Sequence, residues 1–247
     1  MLIALTLMLL TAILLILAAI FYKVRKIHVA SFGIESVRSE VFALFSQIEA
    51  TLALEKITKL SHPLPPTRGW AGSPDFLLRI AEELLKRKPK QVLECSSGIS
   101  TVVCARILQM NGIGHVYSLE HDPVYAQKTR DLLAQHGLED WATVVDAPLS
   151  ASDGEQRWYT LSNLHQNANA IEVLIVDGPP ATTSPLARYP AIPRLINRMA
   201  PAAVVIIDDA DRPEEQVILK KWHSEFADFH QSNAFCEKGC VFLERKN

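Results

Sequence analysis

The sequence predicts an α/β protein with a doubly wound, mostly parallel sheet that ends in an antiparallel hairpin and follows a transmembrane helix. Five short apolar runs alternate with helical segments, and an acid closes each run. The chain ends in two β-like segments around Lys238-Gly239, and it begins with a long apolar stretch. Continuous apolar strands that alternate with helices are typical of a parallel sheet covered on both faces.

The first 22 residues contain two threonines and otherwise only apolar or aromatic residues. As a helix, about 21 residues span ~31 Å, which matches a hydrocarbon core of ~30 Å. A signal peptide is the alternative, but it requires a basic segment before a shorter apolar run. Lys23, Arg25 and Lys26 follow this stretch directly. The positive-inside rule therefore predicts a single-pass membrane protein whose remaining chain faces the cytoplasm.

The next segment carries an apolar stripe with helical spacing. Its members recur at steps of one, three or four residues: Ile34, Val37, Val41, Leu44, Phe45, Ile48 and Leu52. Three structures are compatible with the stripe. The stripe can form the seam of a homodimer through residues 31–60. Alternatively, the segment is a helix that lies on the membrane surface or a helix that packs on its own domain.

A loop rich in proline follows this helix, with four prolines and two glycines between residues 61 and 74. Its Arg68 and Trp70 either cover a pocket or belong to a rigid linker. The sequence thus predicts three parts: a transmembrane anchor (1–22), a juxtamembrane helical segment (23–63) and an α/β domain (64–247).

The elements of the α/β domain have clear boundary signals. Ser73 and Pro74 are typical of an N-cap and a first helical residue, and Gly137 is expected to end the helix that begins at Pro123. Apolar runs after these helices predict strands that end at Leu119, Val145, Val176 and Ile207, each followed by an acid.

Composition excludes some classes of function. A net charge of -2 leaves no basic surface of the kind that nucleic-acid binding requires. The four cysteines, Cys95, Cys104, Cys236 and Cys240, do not follow a metal-binding spacing, so we expect buried thiols in a reducing compartment.

The segment QVLECSSGISTVVCARIL, residues 91–108, is the centre of the predicted site. It indicates a buried strand with Glu94 at its end, a turn of small residues (Ser96, Ser97, Gly98) and a helix that starts near Ser100. A tight turn into a helix N-terminus presents backbone N–H groups and the positive end of the helix dipole. Nucleotide-like cofactors bind in this geometry at the carboxyl ends of the strands.

Taken together, the motifs resemble those of class I S-adenosylmethionine-dependent methyltransferases, and most closely a bacterial, membrane-anchored branch with E-x-G-S-G-x-S-T, LEHD, VDGPP and DDADR motifs. The resemblance covers about residues 64–244 and implies the Rossmann-like fold of these enzymes, with S-adenosylmethionine as cofactor. It implies cofactor-binding roles for the first-motif residues Glu94, Ser96, Gly98, Ser100 and Thr101, and for Glu120, His121 and Asp146.

The resemblance also assigns individual roles. Glu120 stands where an acid binds the two ribose hydroxyls, Asp146 stands near the adenine edge, and Asp177 faces the methyl group as the catalytic residue. Ser96 departs from the family, which has glycine there because the backbone approaches the cofactor and takes a positive φ. Such a φ costs a non-glycine residue about 1 kcal/mol.

A second resemblance concerns the acids Asp177, Asp208 and Asp209. Catechol and caffeoyl-coenzyme A O-methyltransferases hold a divalent ion with acids at the corresponding strand ends, so these three residues are candidate ligands of Mg²⁺ or a similar ion. The lysine that those enzymes place shortly after the first acid is absent, because Gly178 and two prolines follow Asp177. The alternative is that Asp208 and Asp209 cap a helix or hydrogen-bond the acceptor.

The predicted function is methyl transfer from S-adenosylmethionine, by a membrane-anchored enzyme, to oxygen of a small or lipid-linked acceptor. Arg188 and Tyr189 either line the acceptor pocket or belong to a loop before a helix. A non-catalytic membrane scaffold that retains the fold is the first alternative. Aminopropyl transfer is a lower one, because no acid pair selective for polyamines follows Asp177.

Overall fold

The computed structural model describes residues 1–67, 71–151, 156–164 and 168–246, and for residues 32–36 and 39 it describes the backbone alone. The predicted pocket cover of Arg68 and Trp70 lies outside the described residues. Contacts divide the chain into two units, Met1–Ser46 and Gln47–Asn247. The predicted boundaries after residues 22 and 63 are not tested by this division and stay predictions.

The first unit is helical. Helix α1 spans Leu2–Thr58, and within its Leu2–Ser31 part an 18-residue stretch has a mean hydropathy of 2.9 with none of it buried. This part is long and apolar enough to cross a membrane, although a signal sequence near an N-terminus has the same properties. The predicted apolar helix is therefore present.

The described residues of the second unit form nine strands and the remaining helices. The strands are β1 (Gln91–Cys95), β2 (His115–Glu120), β3 (Ala142–Asp146), β4 (Leu149–Ser150), β5 (Trp158–Tyr159), β6 (Ile171–Val176), β7 (Met199–Asp208), β8 (Phe229–Ala234) and β9 (Cys240–Arg245). The α-helices are α2 (Pro74–Arg87), α3 (Ile99–Asn111), α4 (Pro123–His136), α5 (Ala191–Leu195) and α6 (Pro213–Glu225), with short 3₁₀ turns at Glu139–Trp141, Ala181–Thr183 and Ile196–Arg198.

Seven of the strands form one sheet in the order β3-β2-β1-β6-β7-β9-β8. The pairs among β3, β2, β1, β6 and β7 are parallel, whereas β9 runs antiparallel to both β7 and β8. The fold class that the sequence predicts, including the C-terminal hairpin, is confirmed. Because the five parallel strands share one direction, the acids that follow them lie along one edge of the sheet.

The continuous apolar runs are explained by burial on both faces. In β6, Val173 and Ile175 belong to a core with α2 and α3, and Leu174 and Val176 belong to a second core on the opposite face. Successive side chains of a strand point to opposite faces, so a strand covered on both sides needs apolar residues at every position. The four cysteines are buried free thiols, as predicted.

The helix boundaries agree with their signals, with one difference. Helix α4 begins after Asp122, whose side chain accepts from the N–H groups of Val124 and Tyr125, and it ends at Gly137 with φ +64°. Ser73 stands at the N-cap of α2, but its side chain makes no capping hydrogen bond. The neighbouring Asp75 is buried and instead accepts from Gln47 Nε2 at 2.8 Å and from the Glu237 N–H at 2.6 Å.

The last turns of α1 belong to the second unit. Their buried residues are Gln47, Ala50, Leu54 and Thr58, and the carbonyl oxygen of Thr58 accepts from Arg106 Nε of α3 at 2.7 Å. This buried face is offset from the predicted stripe, whose described members are exposed: Val37, Val41, Leu44, Phe45, Ile48 and Leu52. The helix therefore does pack on its own domain, but through different residues.

Candidate functional site

A cavity of about 920 Å³ lies at the carboxyl edge of the sheet. Eight of the residues that the sequence analysis proposed line it: Ser96, Gly98, Ser100, Glu120, His121, Asp177, Asp208 and Asp209. They come from the turn after β1, the end of β2 and the loops after β6 and β7. Three further candidates, Glu94, Thr101 and Asp146, are not among the residues that line it.

Glu94 is fully buried beneath the turn after β1. The parallel register sets it opposite Ser118, and its Oε2 accepts from Ser118 Oγ at 2.5 Å and from Thr101 Oγ1 at 2.6 Å. Thr101 Oγ1 in turn accepts from the Gly98 N–H at 3.0 Å. Burial raises the pKa of Glu94, while hydroxyl donors including Ser118 oppose the rise. Glu94 and Thr101 therefore hold the turn from behind the cavity.

The turn itself requires unusual backbone conformations. Gly98 has φ +154°, and Ser96 has φ +109° although it carries a side chain. The Ser96 N–H donates to the carbonyl oxygen of Leu119 at 3.0 Å, so this conformation is fixed by β2. The sequence analysis expected a positive φ where Ser96 replaces glycine, and the structure has one. Ser96 thus carries strain on the order of 1 kcal/mol.

Glu120 is held at the end of β2 by an unusually complete set of donors. Its Oε2 accepts from the Ser97 N–H at 3.1 Å and from Ser97 Oγ at 2.9 Å. Its Oε1 accepts from the N–H groups of His121 at 2.8 Å and Asp122 at 3.0 Å. The four donors fix the orientation of the carboxylate at the cavity wall.

Asp146 is set opposite Glu120 by the register of β2 and β3, but its side chain takes another direction. It forms an ion pair with Arg130 at 2.7 Å, and 62% of the side chain is exposed. The backbone register therefore brings Asp146 beside the predicted ribose acid without bringing its carboxylate into the cavity.

The acids after β6 and β7 converge on the buried guanidinium of Arg188. Its Nη2 donates to the carbonyl oxygen of Asp177 at 2.8 Å and to Asp209 Oδ2 at 2.9 Å, and lies 3.3 Å from Asp177 Oδ1. Its Nη1 donates to the carbonyl oxygen of Asp208 at 2.9 Å and lies 3.6 Å from Glu215 Oε1. Arg188 therefore lines the cavity, as one of the two predictions for it stated, and joins three segments of the chain.

Tyr189 does not share this position. It is absent from the residues that line the cavity, and its hydroxyl donates to Glu225 Oε2 at 2.6 Å. Its carbonyl oxygen accepts from Trp222 Nε1 at 2.9 Å. Tyr189 therefore packs this loop on α6.

The acid cluster is poised to hold a proton near neutral pH. Burial raises the pKa of Asp177 to about 7, with Arg188 opposing the rise and Asp209 adding to it. Burial and the charges of Asp177 and Asp209 raise the pKa of Asp208 to about 8. Ligand atoms of Asp177, Asp208 and Asp209 lie within 4.8 Å of one another, and Oδ1 of both Asp208 and Asp209 has no hydrogen-bond partner among the described residues.

Two side chains that shape the site, those of Ser97 and Lys238, were not among the candidates predicted from the sequence. Ser97 supplies half of the donors to Glu120, which its place inside the family motif could have indicated. Lys238 lines the cavity from the turn between β8 and β9, and its charge acts on Asp177. Nothing in the local sequence of Lys238 reveals this, because Asp177 and Lys238 meet only through the pairing of β7 with β9.

Comparison with known proteins agrees with this architecture. Residues 93–210 match a family model described as a methyltransferase domain. A search of curated proteins finds no match. The matched residues contain the turn after β1, Glu120, Asp177 and the acids after β7. Together with the fold, the match shows that this part of the chain is similar to a methyltransferase domain.

Solved methyltransferases share the fold at low sequence identity. A Geobacter sulfurreducens methyltransferase is 16% identical with a TM-score of 0.55, over 85% of this chain and 96% of that one. The O-methyltransferase TomG from Streptomyces achromogenes, solved with S-adenosylmethionine, is 16% identical with a TM-score of 0.54, over 81% of this chain and 89% of that one. A Podospora anserina methyltransferase bound to S-adenosylhomocysteine is 13% identical with a TM-score of 0.54, over 80% and 88% of the two chains.

The strain at Ser96 gives a first testable prediction. Ser96→Gly relieves the positive φ and should raise the free energy of unfolding by about 1 kcal/mol. Ser97→Gly is the matched control: it removes the hydroxyl that donates to Glu120 and should lower the free energy of unfolding by about 1 kcal/mol. Urea unfolding of the full chain in detergent micelles measures both. A Ser96→Gly protein no more stable than wild type would contradict the strain at this position.

Proposed function

We propose that this chain is a membrane-anchored methyltransferase that transfers a methyl group from S-adenosylmethionine to an oxygen of a small or lipid-linked acceptor. The observation that carries the proposal is that one cavity contains both Glu120, fixed by four donors, and Asp177, whose pKa lies near neutrality. The first group suits a cofactor with ribose hydroxyls, and the second suits proton transfer.

The residues that line the cavity fit such a cofactor. The turn from Ser96 to Ser100 leads into the N-terminus of α3, where backbone N–H groups and the helix dipole favour a carboxylate such as that of a methionine group. The four donors already fill the lone-pair sites of the Glu120 carboxylate, so ribose hydroxyls would bind it by displacing donors such as Ser97 Oγ, which also lies 3.0 Å from Thr129 Oγ1. When bound, S-adenosylmethionine supplies a methyl carbon activated by a sulfonium. We propose that Glu94 and Thr101 support the turn that the cofactor approaches. That Asp146 contacts the edge of the adenine stays a prediction.

Asp177 is proposed as the proton acceptor for the reacting hydroxyl. Its carboxylate is largely buried, with 13% of the side chain exposed, and Arg188 fixes its backbone and one of its oxygens. A base with a pKa near the working pH combines a useful fraction of carboxylate with enough basicity to take a proton. Positioning of the acceptor by the same carboxylate adds to the rate, since small misplacements cost on the order of 100-fold.

A divalent ion at Asp177, Asp208 and Asp209 is the second possibility for this cluster. The oxygen ligands suit Mg²⁺, and the unpartnered Asp208 Oδ1 and Asp209 Oδ1 offer lone pairs. A bound ion would supply Lewis-acid activation of the acceptor oxygen.

The position of Arg188 favours a cluster without such an ion. Its Nη2 donates to Asp209 Oδ2 at 2.9 Å and lies 3.3 Å from Asp177 Oδ1. The buried guanidinium thus already neutralises carboxylates that would otherwise need an ion. We therefore propose methyl transfer that does not require a metal.

The non-catalytic scaffold remains the first alternative, and the strained Ser96 is the feature that favours it. Aminopropyl transfer remains a lower alternative, and no feature of the described cavity favours it. Binding of S-adenosylmethionine separates the enzyme from the scaffold.

The apolar part of α1 supports the membrane anchor. Leu2–Ser31 exposes its apolar side chains, and Lys23, Arg25 and Lys26 lie near its C-terminal end. An anchor would keep the domain close to acceptors embedded in the membrane. The exposed stripe from Val37 to Leu52 supports a homodimer of this helix, because an unpaired apolar stripe gains free energy when a second copy covers it.

Cofactor binding is tested at Glu120. Glu120→Ala should weaken S-adenosylmethionine binding by about 1.5–3 kcal/mol, the range for a hydrogen bond to a charged group. Isothermal titration calorimetry on the full chain in micelles measures this, with Asp140→Ala, an exposed acid whose side chain forms no ion pair or hydrogen bond among the described residues, as control. Wild-type protein that does not bind the cofactor at millimolar concentration would exclude the enzyme.

Asp177 provides the test of the chemistry. Asp177→Asn should lower the rate of methyl transfer by at least ~100-fold, the smaller end of the range for a general base, with cofactor affinity and thermal midpoint nearly unchanged. Because the carboxylate form is required, the wild-type rate should fall as the pH drops through about 7. Transfer of labelled methyl to a panel of phenols, catechols and hydroxybenzoates gives the rates.

Two outcomes would contradict this assignment. Near-normal turnover of Asp177→Asn would place the proton acceptor elsewhere. Loss of wild-type activity with EDTA, restored by Mg²⁺, would favour the divalent ion over a cluster without a metal, and Asp140→Asn should leave both results unchanged.

The orientation of the anchor is tested by reporter fusions at the C-terminus and by labelling of single cysteines. The positive-inside rule predicts that the C-terminus lies in the cytoplasm. Replacement of Lys23, Arg25 and Lys26 by Gln should weaken this preference. A C-terminus outside the membrane in the wild type would overturn the proposed location.

A further inference from the structure

We propose that Lys238 is a further acceptor-binding residue, whose ammonium group contacts the acceptor oxygen and stabilises the negative charge that develops on it. The inference rests on the proposed function and deepens it, because it adds a residue and an acceptor class to the same site. The acceptor is inferred to present an acidic hydroxyl of the phenol class.

Lys238 occupies the part of the cavity where the acid cluster lies. It lines the cavity together with Asp177 and Asp208, and its charge opposes the rise in the pKa of Asp177. Its side chain is half-buried and forms no ion pair or hydrogen bond with the described residues. A lysine at a cavity wall with all three N–H donors unused is available to a ligand.

The other cations on this side of the cavity are already engaged. Arg188 donates to Asp209 and to the carbonyl oxygens of Asp177 and Asp208. Arg212 forms an ion pair with Asp209 at 2.8 Å. Among the described residues beside the proposed proton acceptor, Lys238 is therefore the cation whose side chain forms no ion pair or hydrogen bond.

The turn that carries Lys238 is fixed to the loop after β7. The Asp211 N–H donates to the carbonyl oxygen of Lys238 at 3.1 Å, and the Ala210 N–H donates to that of Gly239 at 3.1 Å. Gly239 has φ +78°, and a Cβ there would lie 2.6 Å from Asp211, so only glycine fits this close approach. These contacts tie the position of Lys238 to the segment that begins with Asp208.

A second anchor holds the same turn from the opposite side. The Glu237 N–H donates to Asp75 Oδ2 at 2.6 Å, and the same oxygen accepts from Gln47 Nε2 at 2.8 Å. Asp75 is buried, so these hydrogen bonds are shielded from water and costly to break. The Lys238 backbone is thus held between Asp75 and the loop after β7, which keeps the origin of its side chain at the cavity wall.

The roles of Asp177 and Lys238 are complementary in the reaction. The acceptor hydroxyl gives its proton to the Asp177 carboxylate, and its oxygen forms a bond to the methyl carbon. The carbon–sulfur bond breaks, and its electron pair stays on sulfur, which becomes a neutral thioether. Lys238 keeps its proton throughout and donates a hydrogen bond to the oxygen while that oxygen is most negative. A fixed ammonium favours hydroxyls that ionise readily, which is why the phenol class is inferred.

The test uses 4-nitrocatechol, whose visible absorbance reports its ionisation, with the full chain in micelles saturated with S-adenosylhomocysteine. Wild-type protein should bind the anion preferentially and lower the apparent pKa of the bound probe. Lys238→Met should raise that apparent pKa by about one unit. In a separate assay with S-adenosylmethionine as methyl donor, it should lower kcat/KM for the probe by ~10-fold or more, while Lys238→Arg should keep most of both. Lys220→Met, an exposed lysine on α6, is the matched control.

Calorimetry with S-adenosylhomocysteine and the thermal midpoint accompany each variant and should not change. A Lys238→Met protein that binds and methylates the probe like wild type would overturn the inference, as would one that loses S-adenosylhomocysteine affinity to the same degree. Wild-type protein that binds S-adenosylhomocysteine but shows no preference for the anion would overturn the acceptor class. Wild-type protein that binds no S-adenosylhomocysteine would overturn the proposed function and this inference with it.

Discussion

The buried guanidinium of Arg188 holds together the segments that form one half of the site. It donates to the carbonyl oxygens of Asp177 and Asp208 and to the carboxylate of Asp209, and it faces Glu215 of α6. Burial by itself lowers the pKa of a guanidinium, but these carboxylates outweigh burial and raise the pKa of Arg188. The group therefore stays charged, and removing it would leave several carboxylates buried without a partner.

The other half of the site depends on hydrogen bonds around the turn after β1. Glu94 lies beneath the turn and accepts from Thr101 and Ser118, while Glu120 faces the cavity and accepts from both groups of Ser97. The two acids thus perform different tasks, although each ends a strand. The buried acid fixes the backbone that a cofactor would approach, and the second acid lines the cavity in which the cofactor would bind.

Electrostatics link the two halves within one cavity. The negative excess around Asp177 suits a cationic sulfonium. Burial, opposed by Arg188 and reinforced by Asp209, raises the pKa of Asp177 to about 7, where proton transfer is efficient. The positive charges of Arg188 and Lys238 limit this negative excess, since a cluster of acids without cations would stay protonated. The balance between these charges, rather than any single residue, would set the pH at which the site works.

The sequence by itself determined the parallel sheet, the C-terminal hairpin, the apolar helix and several acids of the cavity wall, because periodicity and strand-end acids are local signals. It also indicated that Ser96 replaces a glycine at a positive φ. Only the tertiary structure decided which strand-end acids face the cavity: Glu94 is turned inward by Ser118, and Asp146 is turned away by Arg130. The sequence also could not predict that Asp177, Arg188 and Lys238 lie at the same site, because this depends on the side-by-side pairing of strands that are far apart along the chain.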